Sequence, residues 1–359
     1  MKVLYLTDSE PDYLADQIYD GLCAVLGGEN VFDFPRKAAY HGPHARPSSL
    51  VLGREGGEAQ DALVERLRAG QLDLALLSSP RRGVQAAFRA LADQARLPPI
   101  VLLDGEDDTQ LRLDLLRAVG AGVYFKREYR KRPGELGGVW FRGLRSMYGE
   151  EFEGRIFPLP FSVSAAALSG APSLTRDIDV SFVGRASHRK RLAAVRLLRD
   201  APDIRFEGGV YVEPTDRRSR LAESWFGIMA AKLAGDPPAR GSLSRMGMEA
   251  YRSLLGRSKT ALSIRGGGFD TVRYWEVVAA KTPLISEAPD IDIPRNFEHG
   301  VHAVFCRPDL SDLTYWVRRL RDDEAERQRM AEAAYSHLLA YHTTARRAEY
   351  LLELCAKVL

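Results

Sequence analysis

Residues 260–287, TALSIRGGGFDTVRYWEVVAAKTPLISE, constrain the fold more than any other stretch of the chain. Ala261-Leu262-Ser263-Ile264 reads as a short buried strand. Arg265 and three glycines, Gly266, Gly267 and Gly268, follow it. Asp270-Thr271 can then cap a helix that carries Arg273, Tyr274, Trp275 and Glu276. Pro283 cannot continue a helix, so this one ends near Lys281 and residues 283–286 return as the next strand. Strand, glycine loop, helix and second strand make a βαβ unit, which requires a parallel sheet.

The loop and the helix start form a natural phosphate site. Glycines let backbone N–H groups approach an anion, and the amino end of a helix, here at Thr271, favours its charge. Arg265 and Arg273 can each add a charge-assisted bond. Glu276, about a turn and a half into the helix, can accept hydrogen bonds from a ribose. A plain crossover with a flexible turn and a surface glutamate reads the same residues equally well, because short glycine motifs occur often without a ligand.

Composition narrows the class. The 359 residues, 45% hydrophobic and 28% charged, describe a soluble globular protein long enough for two domains. A net charge of +3 gives no signature for nucleic acid or a membrane as partner. Cys23, Cys306 and Cys355 lie far apart, without metal or disulfide spacing, so the expectation is a reducing, cytoplasmic setting. A strand at residues 2–6 leaves no room for a signal peptide, and no apolar run reaches transmembrane length.

The first half alternates strands (2–6, 31–34, 72–77, 100–103, 123–125) with helices (13–26, 59–69, 84–95, 110–119). This is the pattern of a parallel sheet covered on both faces. Residues 36–57 form a loop holding His41 and His44, read as exposed. Ligands of such sheets bind beyond the carboxyl ends of the strands. Thr7-Asp8-Ser9, Ser78-Ser79-Pro80 and Asp104-Gly105-Glu106-Asp107-Asp108 fall there. Asp107 and Asp8 are candidate bases for an acceptor hydroxyl, although Asp-Gly is turn chemistry and a charged turn explains the run as well. The basic run KREYRKR, residues 126–132, reads as a solvated connection that can also grip an anion. Residues 155–161 arrive at a domain junction, and 162–175 suit a linker.

The second half opens with a strand at 178–184, then Gly184, Arg185, Arg189 and further cations before a helix at 192–199. Cations near a helix start are unfavourable unless an anion joins them. A strand at 204–209 follows. Residues 210–243 resist assignment, with a helical patch at 222–233 and a Pro/Gly loop at 235–243. Helices at 246–256, 310–321 and 324–339, a loop at 290–296, a strand at 302–306 and a last helix from 343 or 344 complete the chain. Asp177-Ile178-Asp179 and Asp290-Ile291-Asp292 match the aspartate spacing of some metal sites, a weak pattern on its own.

The runs RYWEVVAAKTPLISE, FEHGVHAVF and YHTTARRAEYLL resemble the C-terminal half of bacterial group-1 glycosyltransferases, and among them the spore-surface maturation (CgeB-like) enzymes. VLLDGEDD, YFKRE and FPLPFS extend the likeness more loosely into the first half. The resemblance implies an α/β GT-B fold: two Rossmann-like domains with parallel sheets facing a central cleft and a terminal helix crossing back. On this basis residues 1–165 form an acceptor-side domain, 176–340 a nucleotide-sugar domain and 341–359 the returning helix. It implies transfer from a nucleotide diphosphate sugar to a glycan, protein or small-molecule acceptor, without an essential metal or other cofactor. Gly184, Arg185, Arg189, Arg265, Gly266, Gly267, Gly268, Thr271 and Arg273 would hold the diphosphate, and Glu276 the ribose. One position departs from the family: many retaining members carry a second glutamate where this chain has Gly268. That departure keeps two other readings open, a degenerate protein that binds without turnover and a sugar-nucleotide epimerase or hydrolase.

Overall fold

The structure is a computed structural model and describes residues 1–41, 60–130, 154–168, 175–211 and 246–359. His44, most of the 36–57 loop, residues 131–132 of the basic run, 169–174 of the linker and the 222–233 and 235–243 assignments lie outside the described residues. The chain divides into two compact units. Unit 1 comprises Met1–Ala167, Asp290–Asn296 and Leu339–Leu359; unit 2 comprises Leu168–Pro289 and Phe297–Leu338.

Unit 1 is built on a parallel six-stranded sheet: β1 (Val3–Leu6), β2 (Val31–Phe34), β3 (Leu74–Leu77), β4 (Ile100–Asp104), β5 (Val123–Lys126) and β6 (Ile156–Pro158), in the order β2-β1-β3-β4-β5-β6. Its central strands are apolar on both faces because helices cover both. One face packs Leu4, Leu6, Ala75, Leu77, Leu102 and Tyr124 against α2 (Gln60–Arg68), α3 (Arg82–Ala92) and α4 (Leu113–Val119). Helix α4 starts three residues later than its apolar pattern predicts. Asp108 Oδ1 takes the Gln110 N–H at 2.9 Å, so local side-chain bonding competes with the first turn.

The other face is covered by α1 (Tyr13–Leu26), capped by Asp12. Unit 2 has a parallel five-stranded sheet: β7 (Ile178–Arg185), β8 (Phe206–Tyr211), β9 (Ser258–Ser263), β10 (Leu284–Glu287) and β11 (Ala303–Cys306), ordered β11-β10-β9-β7-β8. Helices α5 (Arg189–Arg199), α6 (Met248–Arg257), α7 (Val272–Ala279), α8 (Leu313–Asp322) and α9 (Glu324–Tyr341) accompany it. Val180, Phe182, Leu262, Ile264, Ile285 and Val304 carry its main core. Gly208 sits at φ 115°, where a β-carbon would lie 2.1 Å from the Phe182 carbonyl oxygen, so β8 can pair with β7 only through glycine.

The final helix, α10 (Thr344–Val358), belongs to unit 1 and lies against α1. Thr343 caps it, accepting the Arg346 N–H at 3.2 Å. Thr344 Oγ1 donates to Asp20 at 2.7 Å, and the buried Arg347 donates to the Phe161 carbonyl at 3.2 Å. The approach depends on Gly21, where a β-carbon would stand 2.1 Å from the Thr344 carbonyl oxygen.

Candidate functional site

Adjacent strands β7, β9 and β10 bring their carboxyl ends together on one edge of unit 2, and the glycine loop leaves from the central one. The loop closes on itself through Gly266 N–H to the Gly268 carbonyl at 3.0 Å, so that amide is spent within the loop. Helix α7 begins after Thr271, whose side chain makes no capping bond. Its hydroxyl instead lies 3.0 Å from Ser263 Oγ. The Asp270 carboxylate accepts Trp275 Nε1–H at 2.8 Å. The amino end of α7 thus receives no capping bond from Thr271. At its other end Lys281 takes a left-handed φ of 51°, and the Lys281 and Thr282 N–H groups return to Val278 and Val277 before Pro283.

Cations converge on this edge. Helix α5 starts at Arg189, three residues earlier than expected, because His188 Nδ1 accepts the Lys190 N–H at 3.2 Å and acts as the cap. Its first turn thus holds Arg189, Lys190 and Arg191. Arg189 is exposed, whereas Arg191 is buried and grips both neighbouring strand ends. Its Nε donates to the Ile264 and Arg265 carbonyls at 3.1 and 3.0 Å, and its Nη1 to the Arg185 carbonyl at 2.8 Å. A β-carbon on Gly266 would meet Arg191 Nη2 at 2.9 Å. One on Gly184 would lie 2.9 Å from the Phe182 ring and 3.5 Å from Arg273 Nη1. Gly184, Arg273, Arg191 and Gly266 are thus neighbours although the sequence separates them.

Lys190 and Glu287 complete the edge, and neither is evident from the motif alone. Glu287, buried at the end of β10, accepts Lys190 Nζ at 2.5 Å and the Arg265 N–H at 2.9 Å. The Arg265 guanidinium lies 4.0 Å from the Phe269 ring centroid, and that of Arg273 lies 5.2 Å from the Phe182 centroid. Both Nε atoms are buried without a hydrogen-bond partner. Burial lowers the His188 pKa, and Arg265, Lys190 and Arg189 lower it further against the pull of Glu287. Glu276 is half-buried, and burial raises its pKa despite Arg273 and Arg252. The arrangement can bind an anion rich in acceptors, with one poorly solvated carboxyl nearby.

Unit 1 treats its expected residues differently. Asp8, at the end of β1, accepts the Glu10 N–H at 3.1 Å and sits where a β-carbon on Gly83 would strike it. Asp107 is ion-paired with Arg127. The basic run is not a solvated connection at its start: Lys126, Arg127 and Glu128 are fully buried. Lys126 Nζ meets Asp104 at 3.0 Å, and Arg127 bonds Glu128 at 3.0 Å and the Gly105 carbonyl at 2.9 Å. These cations neutralise Asp104 and the acidic turn that follows β4, so the start of the basic run is buried while Asp107 and Asp108 stay exposed. His41 is likewise buried, with Nε2 2.7 Å from Asp33.

The spaced aspartates are structural. Asp177 pairs with Arg257 and Arg205, Asp179 with Lys259, and Asp290 with Arg130. Among the described residues no group of three or more His, Cys, Asp or Glu side chains is placed to hold a metal ion, and no helix is long and apolar enough to cross a membrane. The three cysteines are free and buried. A recess of about 650 Å³ opens in unit 1 near Leu72, Leu97 and Ile100, at the amino ends of β3 and β4, and none of the expected site residues lines it.

Residues 213–353 match the family model described as glycosyl transferase-like, a span that contains the glycine loop, Arg273, Glu276 and Glu287. A comparison with curated proteins found no match. Among solved structures, a glycosyltransferase from Rickettsia africae superposes with a TM-score of 0.62 at 10% identity, covering 99% of this chain and 98% of that one. An α-glucosyltransferase in complex with UDP and a 13-mer DNA gives 0.60 at 12% identity, covering 99% of each chain. Anabaena HepE in complex with UDP-glucose gives 0.58 at 12% identity, covering 99% and 100%. The chain spans 60% of a chain of the GtfA/B complex, with a TM-score of 0.50 at 12% identity over 82% of its own length. At these identities the likeness establishes the GT-B fold.

Proposed function

We propose that the chain is a glycosyltransferase that takes its sugar from a nucleotide diphosphate sugar. The observation that carries this reading is the meeting of Arg273, the glycine loop, Gly184 and the α5 cations at one sheet edge, beside the amino end of α7, with the loop and Arg273 inside the matched span. In the transfer the sugar C1–O bond to the β-phosphate breaks and a C1–O bond to the acceptor forms. The departing diphosphate gains charge, and preorganised cations and amides stabilise it as it does so. Arg185, Arg189, Arg265 and Arg273 supply the cations, with Gly184 and the loop from Gly266 to Gly268 allowing close approach and Thr271 opening α7. With cations in that role no metal is needed. Glu276 accepts the ribose hydroxyls.

The acceptor proton passes to a base that we assign to unit 1. Asp8 suits the task better than Asp107, whose carboxylate is already engaged by Arg127. The acceptor is a hydroxyl compound rather than nucleic acid, and free buried thiols fit a reducing compartment such as the cytoplasm. A second reading, binding without turnover, is favoured by one observation: the only acid on the loop, Asp270, is tied to Trp275.

Titration with UDP- and GDP-sugars, followed by an assay for released nucleotide with and without candidate acceptors, separates the readings. Acceptor-dependent release supports transfer, and binding without release supports the second reading. Equal release without acceptor indicates hydrolysis, and failure of every nucleotide sugar to bind removes all of them.

A further inference from the structure

Around the glycine loop several side-chain acceptors are engaged, while two arginine Nε donors are not. Asp270 holds Trp275, and both oxygens of Glu287 are occupied by Lys190 Nζ and the Arg265 N–H. The Thr271 and Ser263 hydroxyls face each other at 3.0 Å. In contrast, Arg265 Nε and Arg273 Nε are buried without partners. Arg265 makes one further bond, a long 3.5 Å contact from Nη2 to the Gly267 carbonyl, while the Phe269 face fixes its plane. A neutral hexose presents hydroxyls, each of which both donates and accepts, so a site built for one offers both kinds of partner. Beside this loop the side-chain groups left unengaged are guanidinium N–H donors.

We propose that the sugar of the donor is acidic, a uronic acid whose carboxylate pairs with Arg265. The proposal rests on the nucleotide-sugar reading above. Four arginines, Arg185, Arg189, Arg265 and Arg273, bring more positive charge to this edge than a diphosphate esterified at both ends carries, and Arg265 is the one on the glycine loop with its plane set by Phe269. A planar guanidinium already fixed against an aromatic face suits a planar carboxylate, which accepts two parallel N–H bonds. The three consecutive glycines beside Arg265 put no side chain between it and the ligand.

The test measures dissociation constants of the full chain by calorimetry for matched pairs, UDP-glucose with UDP-glucuronate and GDP-mannose with GDP-mannuronate, alongside UDP and GDP. The uronate should bind at least about tenfold tighter than its neutral partner, the scale of one charge-assisted contact. In Arg265→Met that ratio should fall to within about twofold, while UDP and GDP, weakened alike by the loss of one of the four cations, still bind measurably and show the site folded. Neutral sugars binding as tightly as uronates overturns the proposal but leaves the transferase reading standing. An undiminished ratio in Arg265→Met also overturns it, because the carboxylate is then held elsewhere. If no sugar nucleotide or free nucleotide binds, the nucleotide-sugar reading fails and this proposal fails with it.

Discussion

Glu276 shows how one side chain can link stability to binding. Burial raises its folded pKa above the ordinary 4.5, so its carboxyl is comfortable when protonated and costly when charged. The contribution to stability is therefore complete below about pH 4.5 and is lost as pH rises through the raised folded value. Glu276→Gln should melt higher than the parent at pH 7, with the gain shrinking as pH is lowered towards 4.5. The same variant should bind nucleotide at least about tenfold more weakly, the loss of hydrogen bonds to a charged acceptor. Thermal melts across pH, paired with calorimetry, check both signs. At this scale the placement of the glycine loop at a strand end and of Arg273 on the helix after it was legible, because glycine and proline punctuate the pattern. Arg191 and Lys190 were not: four basic residues in seven give no hint of which is buried. The only available signal was register, since a helix starting at Arg189 turns Arg191 towards the sheet. That start was hidden because histidine is an unusual cap.

Elements were read well where apolar period and punctuation agreed. The strands of both sheets other than β6 follow from the sequence pattern, and Pro283 ended α7 as expected; Ile156–Pro158, read as an approach to a domain junction, pairs instead with β5 as the edge strand of the first sheet. Where ions replaced apolar residues in the interior, the pattern failed, as at Lys126-Arg127-Glu128, whose charge conceals complete burial. The return of the terminal helix to the first unit was expected from the resemblance, but its partner α1 was not, because Gly21 inside α1 looks like a weak point in a helix rather than a contact. It lets α10 approach closely, and Gly21→Val should destabilise the protein by about 1–3 kcal/mol through overpacking, read as a lower urea midpoint with an unchanged slope. Gly208→Ala should act in the same direction, since its φ of 115° and the adjacent Phe182 carbonyl exclude a side chain. A midpoint within error of the parent for either variant would show that the backbone shifts freely there.

For the whole molecule, two α/β units were legible from alternation and length, but the path of the chain was not. Residues Asp290–Asn296 belong to unit 1 although they interrupt unit 2 in sequence, held by the Asp292 N–H to the Tyr129 carbonyl at 2.8 Å and by His342 to the Arg295 carbonyl at 2.8 Å. No local pattern marks such a return, because a short loop with two aspartates carries little information about its partners. Removing residues 343–359 should expose the α10-facing side of α1 and destabilise unit 1 while leaving the unit 2 sheet folded. Hydrogen exchange that accelerates at β1 and α1 but not at β7 and β9 is the expected result, and uniform protection would contradict it.

The position of α10 also sets an order of assembly during synthesis. The segments of unit 2 have all been synthesised by residue 338, whereas α1 of unit 1 lacks the cover of α10 until the chain has been made to about residue 358. Translation therefore finishes unit 2 before unit 1, and the nascent chain carries an apolar strip on α1 until α10 has emerged, the kind of surface that chaperones recognise.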